Sequence, residues 1–283
     1  MISPSESLDV LPENARILWI NPLFTDLYNR AMADSFRQIV RPGTEVDVVS
    51  LDGVGPSHVE YNAFEALMLP QLLRTVRWAE EEGYDAAVIG CFYDPALRAA
   101  REITDRMVVV GPAHSALSLA GSLGERFSIL VGRKKWIPEM AENVHRCGAS
   151  DRLASWRVLE MGVDDFQADP ALTEKRIMTE ARKAVEEDGA DVVILGCTAE
   201  FGFFQTVQEE IGVPVIDATV APLKHAELLV DSARRFGWTH SKRLGYDGPT
   251  AQERAQFFPA LKPKHMVSMT SAPALTELSM VRP

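Results

Sequence analysis

The stretch Asp188-Gly189-Ala190-Asp191-Val192-Val193-Ile194-Leu195-Gly196-Cys197 decides the fold, because an earlier stretch repeats its design. That copy reads Glu82-Gly83-Tyr84-Asp85-Ala86-Ala87-Val88-Ile89-Gly90-Cys91. The two glycines and the two cysteines are separated by the same 106 positions (189 − 83 and 197 − 91). Each copy leaves a helix at Gly, turns at Asp, runs through four apolar residues and stops at Gly-Cys. A short apolar run bounded by turn signals reads as a buried parallel strand. In open parallel sheets ligands sit outside the carboxyl ends of the strands, so each half of the chain delivers one cysteine to such a position.

The strands flanking each copy repeat too. Ala15–Ile20 and Val46–Leu51 precede the first cysteine strand, and Met107–Val110 follows it. Phe127–Gly132 and Trp156–Met161 precede the second, and Val213–Asp217 follows it, again 106 positions (213 − 107) after its counterpart. Helical patterns lie between them. They include a long one from His58 to Glu82 with Pro70 inside, one starting at Asp94-Pro95, and one from Trp136 to Cys147 closed by Gly148. Strands alternating with helices make an α/β protein of two pseudo-symmetric lobes. Each lobe is expected to hold a four-stranded parallel sheet flanked by helices, with the active site in the cleft between them. The expected boundaries are 14–112 and 113–219. A last helix over 220–236 is expected to return to the first lobe, and 237–283 is expected to form an arm on the surface or on another subunit of a homo-oligomer.

The 283 residues are 46% hydrophobic and 24% charged, enough for a sizeable core. A net charge of −11 argues against nucleic acid and anionic membrane as partners. Met1–Leu11 has neither the basic start nor the apolar centre of a signal peptide, and no run approaches a membrane span. A cytoplasmic location with reduced cysteines is therefore expected. The three cysteines form no CxxC pattern, so no metal site is expected. No cofactor fingerprint is apparent, and the expected partner is a small-molecule substrate.

Cysteine is also a small buried hydrophobe, and Cys147, outside the repeat, reads that way. Cys91 and Cys197 read differently. Each follows a strand and precedes a helical pattern, whose N-terminus would favour a thiolate. Two quasi-symmetric thiols suit a reaction that removes a proton from one face of a carbon and returns one to the other.

The sequence resembles the aspartate/glutamate/hydantoin racemase superfamily, in particular its hydantoin and allantoin racemase branch. The matching residues include Ile20-Asn21-Pro22, Gly55-Pro56-Ser57, Cys91-Phe92-Tyr93-Asp94-Pro95, Leu195-Gly196-Cys197 and Gly212–Asp217. The resemblance covers about 15–240. It implies a cofactor-independent mechanism in which Cys91 and Cys197 are the acid/base pair. It also implies a ligand surrounded by Asn21 and by the backbone around Gly90, Phe92 and Thr198. Pro22 and Ser57 lie in the matched motifs and join the expected substrate-binding set. The sequence departs from the branch at Leu23-Phe24, at Thr198–Phe201, and at His114, where the branch often has an acid. Phe24, Tyr93 and His114, with Phe201 and Phe203, are expected to make a bulkier, more aromatic pocket. A hydantoin-like cyclic ureide or amide is the implied substrate. Decarboxylation, cis–trans isomerisation and non-catalytic binding on the same scaffold stay open as alternatives.

Overall fold

A computed structural model describes residues 15–271. The elements in chain order are β1 (Ala15–Asn21), α1 (Asn29–Ile39), β2 (Thr44–Ser50), α2 (Asn62–Glu81), β3 (Ala86–Ile89), α3 (Leu97–Ile103) and β4 (Val108–Val110). They continue with α4 (Pro112–Leu123), β5 (Phe127–Val131), α5 (Ile137–Arg146), β6 (Leu153–Val158), α6 (Pro170–Glu186), β7 (Val192–Leu195), α7 (Phe204–Ile211) and β8 (Val215–Ile216). The last described elements are α8 (Val220–Phe236), α9 (Ala251–Phe257) and β9 (Met266–Ser268). None of the described helices is long and apolar enough to cross a membrane.

Among the described residues the strands form two sheets, ordered β4-β3-β1-β2-β9 and β6-β5-β7-β8. The eight repeat strands pair parallel throughout. In each sheet the first strand of the repeat is central. From it the chain builds outward on one side, then jumps across to add the cysteine strand on the other. The topological switch points therefore fall between β1 and β3 and between β5 and β7, where a ligand crevice forms. Fully buried Val, Ile and Leu in β3 and β7 explain why these strands are apolar without alternation.

The expectation of two four-stranded sheets needs one correction. The first sheet has a fifth strand, because Met266-Val267-Ser268 pairs antiparallel with β2. Three residues of arm carry too little periodicity to read as a strand, yet they cover the edge that β2 would otherwise expose. Two local readings also shift. β6 begins at Leu153, three residues before the expected start. Asp94-Pro95 does not open a helix: Asp94 and Ala96 take left-handed φ of 51° and 53°, and α3 begins at Leu97. The Asp94 carboxylate is committed elsewhere. It accepts the backbone N–H groups of Ala113 (3.0 Å) and His114 (2.8 Å), satisfying donors at the start of α4.

α8 packs on the first sheet. Its Leu223, Ala226 and Val230 share an apolar cluster with Trp19 of β1, Ala86 and Val88 of β3, and Val108 and Val110 of β4. The turn into β4 is held by one acid: Glu80 accepts the N–H groups of Asp105 (2.6 Å), Arg106 (2.9 Å) and Met107 (3.3 Å). Arg77 pairs with the same carboxylate at 2.7 Å. Hydrogen bonds to a charged group contribute more than neutral ones, so Glu80→Ala is expected to cost about 2 kcal/mol, read from a shift in the urea midpoint at constant m. An unchanged midpoint would remove this role from Glu80.

Candidate active site

β1, β3 and β7 end at one pocket. Asn21 terminates β1, Gly90 and Cys91 follow β3, and Gly196 and Cys197 follow β7; all five line it. The two glycines extend equivalent ladders, since Gly90 N–H bonds to Ile20 O and Gly196 N–H to Leu130 O, both at 2.8 Å. Thr198 Oγ1 donates to Gly90 O at 3.1 Å, a buried bond that ties the two cysteine turns directly together. The 106-residue repeat thus brings both thiols to one cavity of about 570 Å³, including its open mouth.

The walls are mostly apolar. Leu23, Tyr28 and Met32 close one side; Trp136, Met140 and Val163 close another. Asn21 is held by its neighbours. Its Oδ1 accepts from Trp19 Nε1, its Nδ2 donates to Asn29 Oδ1, and Ser50 Oγ donates to the same oxygen, each at 2.7 Å. Among the described residues Glu60 is the only acid on the wall, and no lysine or arginine lines it. The Glu60 carboxylate is engaged across the cleft by Arg133 Nη1 at 2.5 Å and by the Val163 N–H at 3.0 Å.

Each sulfur receives the backbone N–H two residues on, Tyr93 for Cys91 and Ala199 for Cys197. These donors favour the thiolate, but burial outweighs them and pushes both thiols well above their ordinary range. Both cysteines are half-buried and line the pocket. The expected helix-start activation is therefore reversed. α3 begins six residues after Cys91, and only a short 3₁₀ turn, Thr198–Glu200, follows Cys197. Neither sulfur meets the N-terminus of an α-helix. Tyr28, facing Asp164 and Cys197 from the same pocket, is raised to about 12, mainly by burial.

Of the residues singled out in the sequence, Asn21, Gly90, Cys91, Phe92, Tyr93, Cys197 and Thr198 line this pocket together. Others stand apart. Pro22 is buried beside it and Ser57 is exposed. The Phe24 ring packs over Gly55, and its N–H bonds to Pro56 O at 3.1 Å. Phe203 packs on the main apolar core and Phe201 on the cluster under α8. His114 faces a neighbouring cavity. Sequence reading missed Tyr28, Glu60, Trp136, Met140 and Val163, which come from turns, a loop and the α5 region. The only signal among them is Glu60, a charge between Val59 and Tyr61. Among the described residues no group of three or more His, Cys, Asp or Glu is placed to hold a metal ion.

A profile of the family described as Asp/Glu/Hydantoin racemase matches residues 17–226. The hydantoin racemase of Pseudomonas sp. (strain NS671) is 36% identical over 238 residues, 84% of this chain and 93% of that protein. The hydantoin racemase of Paenarthrobacter aurescens is 36% identical over 239 residues, 84% of this chain and 99% of that protein. The structure of allantoin racemase from Klebsiella pneumoniae superposes with a TM-score of 0.75 at 29% identity, covering 83% of this chain and 94% of the other.

Proposed function

This chain belongs to the Asp/Glu/hydantoin racemase family and is an isomerase; from that premise we propose that it racemises a hydantoin-like cyclic ureide or amide through Cys91 and Cys197. The observation that carries the proposal is the placement of two thiols, at equivalent points of an internal repeat, on one pocket. The substrate class rests on charge. A free amino acid would bring a carboxylate, and among the described residues no lysine or arginine lines the pocket to meet it. A neutral ring leaves no such charge unpaired. The hydantoin and allantoin racemases among its relatives support the same class.

In one direction the Cys91 thiolate takes the proton from the ring carbon, and the bonding pair moves onto the adjacent carbonyl as an enolate. The Cys197 thiol delivers a proton to the opposite face, leaving Cys91 protonated and Cys197 as the thiolate. The reverse reaction exchanges the roles, and no group beyond the two thiols gains or loses a proton. Backbone N–H groups in the turns at Phe92 and Thr198 are the candidate donors for the enolate oxygen. Burial serves this chemistry in one respect, since a thiolate of raised basicity is better matched to a carbon acid.

The test is hydrogen exchange in D₂O on a panel of 5-substituted hydantoins, allantoin and free amino acids. Exchange at the ring carbon is expected; exchange on amino acids alone would overturn the substrate class. The pH dependence follows from the thiols. The base must be ionised, and burial puts both above the working range. The thiolate fraction, and kcat/KM with it, should rise about tenfold per pH unit from pH 7 to 9, corrected for ligand ionisation. A plateau beginning below pH 8 would contradict this.

A further inference from the structure

Beside the active site lies a second cavity, of about 750 Å³ including its open mouth. The turn after Cys91 separates the two: Tyr93 lines the first and Asp94 the second. Its other walls come from four places. α3 contributes Arg98 and Arg101, α4 contributes His114, and the end of α5 contributes Asn143, Arg146 and Cys147. The arm contributes Tyr246.

The charge in this cavity runs against the rest of the molecule. The chain carries −11 overall, yet three guanidinium groups line the cavity against one carboxyl. That carboxyl, Asp94, spends both oxygens on the start of α4, and burial raises it to about 7. Arg101 is fixed in place. Its Nε donates to Val109 O and its Nη1 to Tyr246 Oη, both at 2.9 Å, and it is 5% exposed. Arg98 and Arg146 are exposed, and among the described residues neither stands within ion-pair distance of a carboxylate. His114 Nδ1 is buried and has no hydrogen-bond partner among the described residues. Burial lowers this imidazole to about 4, so it is neutral near pH 7 and retains one N–H to give.

We propose that this cavity is a binding site for a small oxyanion, a carboxylate or phosphate, held by Arg98, Arg101 and Arg146. A guanidinium fork matches such a group two oxygens at a time, and a pre-positioned Arg101 gives up little freedom on binding. Arg98 and Arg146 reach solvent, and Arg101 is buried and hydrogen-bonded. All three nevertheless line the same cavity, and among the described residues none of them stands within ion-pair distance of a carboxylate.

Cys147, expected from the sequence to be a buried hydrophobe, is instead exposed at the end of α5 and lines the cavity, so it supplies a built-in reporter. The experiment follows iodoacetamide labelling of Cys147 by peptide mass spectrometry, at fixed pH and at ionic strength held with sodium chloride. Inorganic phosphate is added in one arm and succinate in the other. Protection tracks occupancy, so labelling should slow roughly tenfold when the anion is at about ten times its Kd. The double variant Arg98→Ala/Arg146→Ala, with its melting temperature checked, should label at one rate, its own, whether or not the anion is present. Protection by phosphate alone assigns a phosphorylated ligand, by succinate alone a carboxylate, and by both a general oxyanion site. Absence of protection in both arms, or protection that survives in the double variant, overturns the proposal.

Discussion

Cys91→Ser and Cys197→Ser should each abolish racemisation while leaving deuterium exchange on one enantiomer. Serine keeps the size, but its hydroxyl is far too weak an acid to supply an anion near neutral pH. Inversion needs a base on one face and an acid on the other, so each variant should lose about 10³-fold or more in racemisation rate. Exchange needs only the base that remains, which can remove a proton and return a deuteron to the same face. The two variants should therefore choose opposite enantiomers. Both sulfurs sit after a glycine that continues the ladder of a central strand, so each substitution leaves the strand ends in place. Racemisation by both variants near the original rate would end the two-thiol mechanism. Exchange of the same enantiomer by both would place the thiols on one face.

The second large effect is expected at Gly196. A Cβ there would collide with the Leu130 carbonyl oxygen and approach Ile129 Cγ2 to 3.0 Å. The carbonyl belongs to β5, the central strand of its sheet, and it already accepts the Gly196 N–H. Backbone so held cannot swing away, so the added methyl must push the end of β7 outward, carrying Cys197 with it. Overpacking of this kind costs about 1–3 kcal/mol. The catalytic loss should be larger, about 10²-fold, because proton transfer depends on placement to within about 1 Å. Gly196→Ala should thus stay folded at 25 °C by circular dichroism yet lose most activity. A folded variant of full activity would show that the β7 terminus need not be rigid.

Much of this architecture is legible in the sequence because β3 and β7 are short apolar runs between unmistakable turn residues, and because the repeat checks each reading against the other. The pocket floor is legible for the same reason, since strand ends at a switch point must converge. The side walls are not. Tyr28, Trp136 and Met140 reach the pocket from turns and helix starts, where nothing in local pattern says which way a side chain faces. His114 shows the converse: it sits one turn from a strand end, but α4 turns it into the neighbouring cavity. Phe24 is drawn off by the bare backbone at Gly55. The ionisation of the thiols also escapes sequence reading. Position after a strand suggests an electropositive helix start, whereas their titration is set by burial, which only the folded walls create.

The return of α8 and β9 to the first sheet sets the order in which a growing chain can finish itself. β5, β6, β7 and β8 and the helices between them occupy one uninterrupted stretch, so the second sheet can close as soon as residue 216 is free. The first sheet emerges earlier and is completed later. Its lower face waits for Leu223, Ala226 and Val230, and its edge waits for Met266–Ser268. During translation, at roughly 5–20 residues per second, Val88 therefore waits roughly 7–27 seconds between its own synthesis and that of Leu223. The half that is made first is the half that is sealed last.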